Sequence, residues 1–109
     1  PTLIVDDFVA AGLALGRPVK RYAVPDLVAV EGHALINGKE KGRGTGADVL
    51  GHPHDALAWL ANHLARQGSG LRAGEIVMTG SLVKTVWLAA GDEATMHFSG
   101  LGSVQVAFA

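Results

Sequence analysis

One stretch of the sequence, GHPHDALAWLANHLARQGSG, has the periodicity of an amphipathic helix, and it sits mid-chain between segments that read as strands. Leu57, Leu60, Ala61 and Leu64 recur at i, i+3, i+4 and i+7, which gathers them into one apolar stripe flanked by Trp59. Pro53 suits the first helical position, where its missing N–H costs no hydrogen bond. Asp55 in the first turn favours the positive end of the helix dipole. His52 immediately precedes Pro53 and is placed to cap the helix through its side chain. Arg66 falls in the last turn and Gly68 is the natural stop. A helix over about 53–67 with strands on either side of it in the chain predicts an α+β fold dominated by antiparallel or mixed sheet.

The strand signals cluster on both sides of that helix. DLVAVEGHALINGKEKGRGTG reads as a hairpin. Val28, Val30, Gly32, Ala34 and Ile36 share one face at period two, and Asn37–Gly38 is the residue pair that a type I′ turn prefers. The return strand, Lys39 to Gly46, is polar and rich in glycine, which places it at a sheet edge or against a close neighbour. Downstream, strands are predicted near 75–79, 85–89, 93–98 and 102–108, with Ala89–Asp92 and Ser99–Gly102 as turns. Near the start, Leu3–Val5 and Val9–Leu15 are apolar enough to be strands.

Composition removes several function classes. With 49% apolar and 17% charged residues the chain is globular in character, and at 109 residues it amounts to one domain or less. Its net charge is −1 and its only basic cluster is Lys39–Arg43, so nucleic acid is not an expected partner. It has no cysteine, which excludes disulfides, thiolate catalysis and Cys-based zinc sites and fits a cytoplasmic protein. No apolar run is long enough to span a bilayer, and no signal-peptide pattern is visible.

Local motifs for catalysis are sparse. The five histidines show no HExxH spacing, and the His-x-His pair His52–His54 stands alone, so no local metal site is expected. Asp6–Asp7 and Asp92–Glu93 are adjacent pairs that point to opposite faces of a strand. KGRGTG, Lys41–Gly46, lacks the spacing of a phosphate loop and reads as a glycine-rich strand. Ser81 is not in a GxSxG setting. The interruption TGS, Thr79–Ser81, at the end of an apolar run admits two readings. It is an ordinary turn, or a loop whose backbone N–H groups and flanking hydroxyls meet a carboxylate. Pro1, followed by an apolar stretch, is similar to the start of the amino-terminal-proline tautomerases.

From Gly44 onward the chain resembles a known family. GTGADVLGHPHDALAWLANHLARQGSGLRAGEIVMTGSL, then AAGD and GLGSVQVAF, is similar to the carboxy-terminal part of the 2-keto-4-pentenoate hydratase and 4-oxalocrotonate decarboxylase family, within the fumarylacetoacetate hydrolase superfamily. The resemblance implies a mixed, mainly antiparallel β-roll with helices outside it. It implies hydration of 2-hydroxydienoate acids from aromatic meta-cleavage catabolism, or decarboxylation of a related keto acid. It implies Mg²⁺ or Mn²⁺ acting as a Lewis acid on the 2-oxo acid. Thr79, Gly80 and Ser81 match the segment that lines the family's substrate pocket, with Leu82 walling the same pocket; Lys84 reads as a solvated turn residue.

The sequence also departs from that family. The metal-binding Glu-x-Glu segment and a later acid lie in an upstream half that has no counterpart in this chain. Where the family has an Asp-Asn-Ala-Ser-like stretch, the chain reads DDFVAAGLALG, and Asp7 alone matches. The expectation is therefore a single domain, or the carboxy-terminal half of a larger catalytic domain, lacking metal ligands of its own. It would associate with itself or with a complementing chain. A non-catalytic module that binds a small carboxylate is the rival reading.

Overall fold

The computed structural model describes residues 12–109. Pro1, the Leu3–Val5 segment and Asp6–Asp7 lie outside the described residues, and Gly12–Leu15 is not a strand. Among the described residues, four strands and one α-helix form the regular structure: β1 (Glu31–Ile36), β2 (Lys39–Thr45), α1 (Pro53–Arg66), β3 (Glu93–Phe98) and β4 (Gly102–Ala107). The strands make one sheet in the order β2-β1-β3-β4, and every pairing in it is antiparallel. No helix of the described residues is long and apolar enough to cross a membrane.

The β1–β2 hairpin turns at Asn37 and Gly38, with φ of 52° and 80°, the positive values that a type I′ turn demands. Its register shifts between Ala34 and Leu35: Ala34 faces Gly42 and Leu35 faces Glu40, so Lys41 is the extra residue of a bulge. The predicted face is real from Gly32 onward, whereas Val28 belongs to a 3-10 turn, Leu27–Ala29, capped by the Asp26 carboxylate. Across the sheet the even-numbered residues meet in register: Gly32 with Phe98, Ala34 with Met96, Ile36 with Ala94, then Met96 with Val104 and Ala94 with Val106. That face is apolar. The opposite face holds Glu31, His33, His97 and Ser103.

The helix starts and ends as its sequence dictates. His52 Nδ1 accepts a hydrogen bond from the His54 backbone N–H at 3.0 Å, which satisfies one of the unpaired donors of the first turn. At the other end Gly68 has φ of 76°. Its N–H donates to the Ala65 carbonyl, and the Ser69 N–H to that of Leu64, a Schellman closure. Trp59 stacks on His63 with ring centroids 4.9 Å apart. Leu57, Leu60, Ala61 and Leu64 are only half-buried.

Two expected strands do not form. Residues 75–79 and 85–89 are irregular, with no ladder partner among the described residues. A strand exists only when another backbone pairs with it, and these runs of apolar side chains find none among the described residues. Ile76, Met78 and Trp87 accordingly stay exposed. The most buried apolar residues among those described are Val30, Ala34 and Val49, beside or within β1 and in the turn after β2.

Candidate functional site

Glycines in the first hairpin fix the position of the Thr79–Leu82 loop. A Cβ on Gly44 would fall 1.7 Å from the Leu82 carbonyl oxygen. One on Gly32 would fall 3.0 Å from Leu82 Cδ2 and 2.9 Å from Met96 Cε. Gly42 faces Val83 at an ordinary 3.4 Å. The residues without side chains thus make a floor on which Leu82 and Val83 lie directly against the sheet backbone. The sequence reading of Lys39–Gly46 offered an edge or a close neighbour, and both hold: β2 is the edge strand, and its close neighbour is the loop.

Within the loop, Gly80 has φ of 132°, a conformation that side chains disfavour, and a Cβ there would fall 3.2 Å from Val49 Cγ1. The Ser81 hydroxyl turns back on its own chain. It donates to the Val83 carbonyl at 2.5 Å and lies 3.3 Å from the Val83 N–H, the local bonding of a serine turn. The four candidate residues are therefore divided. Thr79 and Leu82 line a cavity of about 340 Å³ with Leu27, Leu57, Phe98 and Leu101. Ser81 lines a second cavity of about 260 Å³ over the apolar sheet face. Gly80 is the hinge between the two. Lys84 is exposed.

A polar cluster occupies the other face of the sheet, unnoticed in the sequence although strict alternation puts His33 and His97 on that face. His33 Nδ1 is 2.5 Å from Glu40 Oε1, and Arg43 reaches Glu40 Oε2 at 2.9 Å. These two partners, His33 first, hold the Glu40 carboxyl below the usual range. His97 Nδ1 bonds Ser103 Oγ at 2.7 Å, and the two imidazoles lie 6.5 Å apart.

No group of three or more His, Asp or Glu among the described residues is arranged to hold a metal ion. The donor set here does not fit the divalent cation that the resemblance implies, and no reaction step is drawn through one.

The family model for the carboxy-terminal part of fumarylacetoacetate (FAA) hydrolase matches residues 9–109. The chain is 41% identical over 106 residues to a 2-keto-4-pentenoate hydratase of Paraburkholderia phymatum, covering 96% of this chain and 40% of that protein. It is 44% identical over 107 residues to a 4-oxalocrotonate decarboxylase of Pseudomonas sp. strain CF600, covering 98% and 40%. The structure is similar to that of 4-oxalocrotonate decarboxylase from Pseudomonas putida G7 complexed with magnesium and adipate, with a TM-score of 0.74 and 41% identity over 78% of this chain and 32% of that one. The chain thus spans about two-fifths of the length of the curated relatives it matches.

Proposed function

Because the chain belongs to the fumarylacetoacetate hydrolase family, whose carboxy-terminal model it matches over residues 9–109, we propose that it is the substrate-loop portion of a lyase acting on small 2-oxo or 2-hydroxydienoate acids of aromatic meta-cleavage catabolism. The reaction is addition of water to a 2-hydroxydienoate, as in the hydratase relatives. The alternative is loss of CO₂ from a 4-oxalocrotonate-type acid, as in the decarboxylase relatives. Both kinds of relative match almost all of this chain.

The observation that carries the reading is the Thr79–Leu82 loop. It lies on a glycine floor, bends at Gly80, and borders an apolar cavity with Thr79 and Leu82. A loop of this kind positions a carboxylate with backbone N–H groups and a threonine hydroxyl while the carbon chain leaves water. The chain's own residues bind and orient the acid. The Mg²⁺ or Mn²⁺ of the family, which would polarise the 2-oxo group, would need ligands beyond the described residues, among which no metal-binding cluster is found.

The test is turnover by the polypeptide that carries this chain in its native reading frame. It is supplied with 2-hydroxypenta-2,4-dienoate or with 4-oxalocrotonate, with Mg²⁺ and after chelation. Metal-dependent loss of either substrate, reduced by Thr79→Val, is the expected result. No turnover of either substrate would leave the rival reading, a carboxylate-binding module without catalysis.

A further inference from the structure

We propose that Asp48 is a positioning residue for the Thr79–Leu82 loop. Its carboxylate holds Val49 against Gly80, and so sets how tightly the loop takes an acid. The effect on the acid rests on the reading of Thr79–Leu82 as the loop that meets it.

β2 ends at Thr45, and Gly46–Asp48 form a single 3-10 turn. Backbone contacts wedge that turn into the fold. The Gly46 N–H donates to the Val30 carbonyl at 2.9 Å, and a Cβ on Gly46 would overlap the Leu27 carbonyl oxygen. The Asp48 carboxylate then closes the turn onto the strand. Its Oδ2 accepts from the Thr45 N–H at 2.7 Å and lies 3.4 Å from the Thr45 hydroxyl, the reach-back half of a capping box. The same oxygen lies 3.0 Å from the place a Cβ on Gly44 would take, and Gly44 is the residue against which the Leu82 carbonyl rests.

Val49 follows directly. Its N–H donates to the Gly46 carbonyl at 3.1 Å, and it is 3% exposed. Its Cγ1 lies 3.2 Å from the place a Cβ on Gly80 would take. The loop is therefore met on either side of Ser81, by Val49 at Gly80 and by Gly44 at Leu82. Glycine moves readily between backbone conformations, so the φ of 132° at Gly80 depends on what supports it. Both supports belong to residues 44–49, and Asp48 is the side chain that ties their turn to their strand. Asp48 itself is exposed, so its truncation opens no cavity in the core.

The test reads loop position and kinetics on the same variants. In the 109-residue chain, Asp48→Ala should move the backbone amide shifts of Gly80 and Ser81. Asp48→Asn, which keeps an accepting oxygen, should leave them in place. In the polypeptide that carries this chain in its native reading frame, Asp48→Ala should raise KM about fivefold, the size of one lost capping bond, with kcat nearly unchanged. Asp48→Asn should restore KM. Asn37→Gly, which loosens the sheet away from the loop, should leave KM as it was. Val49→Ala should raise KM as well, and adding Asp48→Ala to it should raise KM no further, because the carboxylate acts through Val49. Gly80 and Ser81 amides that stay in place in Asp48→Ala would overturn the proposal, and so would KM effects of the two substitutions that multiply. Amides that move while KM is unchanged, or while no substrate turns over, would keep the positioning role and remove the reading of the loop as the one that meets the acid.

Discussion

At the level of single residues, the clearest dependency is that of Gly44 on Leu82. Any Cβ at position 44 would overlap a backbone carbonyl at 1.7 Å, and a carbonyl cannot swing aside as a side chain can. Gly44→Ala should lower the unfolding free energy by about 2–3 kcal/mol, the upper part of the range for forced overpacking. It should also displace the Thr79–Leu82 loop. Gly42→Ala, whose Cβ would sit at contact distance from Val83, should change stability by no more than about 0.5 kcal/mol. Urea denaturation of the two variants checks this, and equal losses would refute the close-approach account. The sequence revealed that Lys39–Gly46 needed glycine, because polar and small residues alternate there without an apolar face. It could not reveal which neighbour required it, since Leu82 is far along the chain and contact between them is purely tertiary. The same limit applies to Leu57, Phe98 and Leu101, which read as stripe, strand and turn residues before the fold brought them to one cavity.

At the level of elements, the turn of the first hairpin is tied to the start of β3. Asn37 donates through Nδ2 to Asp92 Oδ1 and accepts from the Glu93 N–H through Oδ1, both at 2.9 Å. Asp92 also accepts from the Ala89 N–H at 2.8 Å. The Ala89 N–H first, and the Asn37 amide second, hold the Asp92 carboxyl below its ordinary value. A carboxyl depressed in the folded state contributes stability above its unfolded value, and the contribution disappears as pH falls through the folded value. Stability should therefore decline on acidification from the ordinary carboxylate range downward. Asn37→Gly, which keeps the positive φ of the turn, should flatten that decline in a series of urea midpoints against pH; an unchanged slope would mean that the Asn37 bond adds nothing. The elements legible in the sequence are the ones whose signals are local. The Asn37–Gly38 turn, the helix with its Pro53 and Gly68 ends, and the β3–β4 hairpin all depend on nearby residues. Residues 75–79 and 85–89 have strand composition, but no partner strand for them lies among the described residues.

At the level of the whole molecule, the fate of that unpaired segment decides how the chain behaves in solution. Trp87 is 90% exposed, Met78 73% and Ile76 58%, an apolar display that folded monomers avoid because it invites association. Irregular backbone between them leaves N–H and C=O groups able to pair with another strand. The sheet cannot cover these residues, because Ala34, Ile36, Met96 and Val104 already share their face with Ser81, Val83 and Val86. The helix cannot cover them either without exposing its own half-buried stripe. Relatives that are about two and a half times as long have further chain available for the purpose, and a copy of this chain is the nearest substitute when that is absent. The 109-residue chain should accordingly sediment above its 11.2 kDa monomer mass at tens of micromolar. The double substitution Met78→Glu with Trp87→Glu should return it to a monomer without loss of helical ellipticity, because neither side chain belongs to a packed element. A wild-type chain that stays monomeric at those concentrations would show that the segment folds back on its own sheet in solution. Dimerisation that survives both charges would place the contact elsewhere, with the exposed Trp59–His63 stack as the next surface to vary.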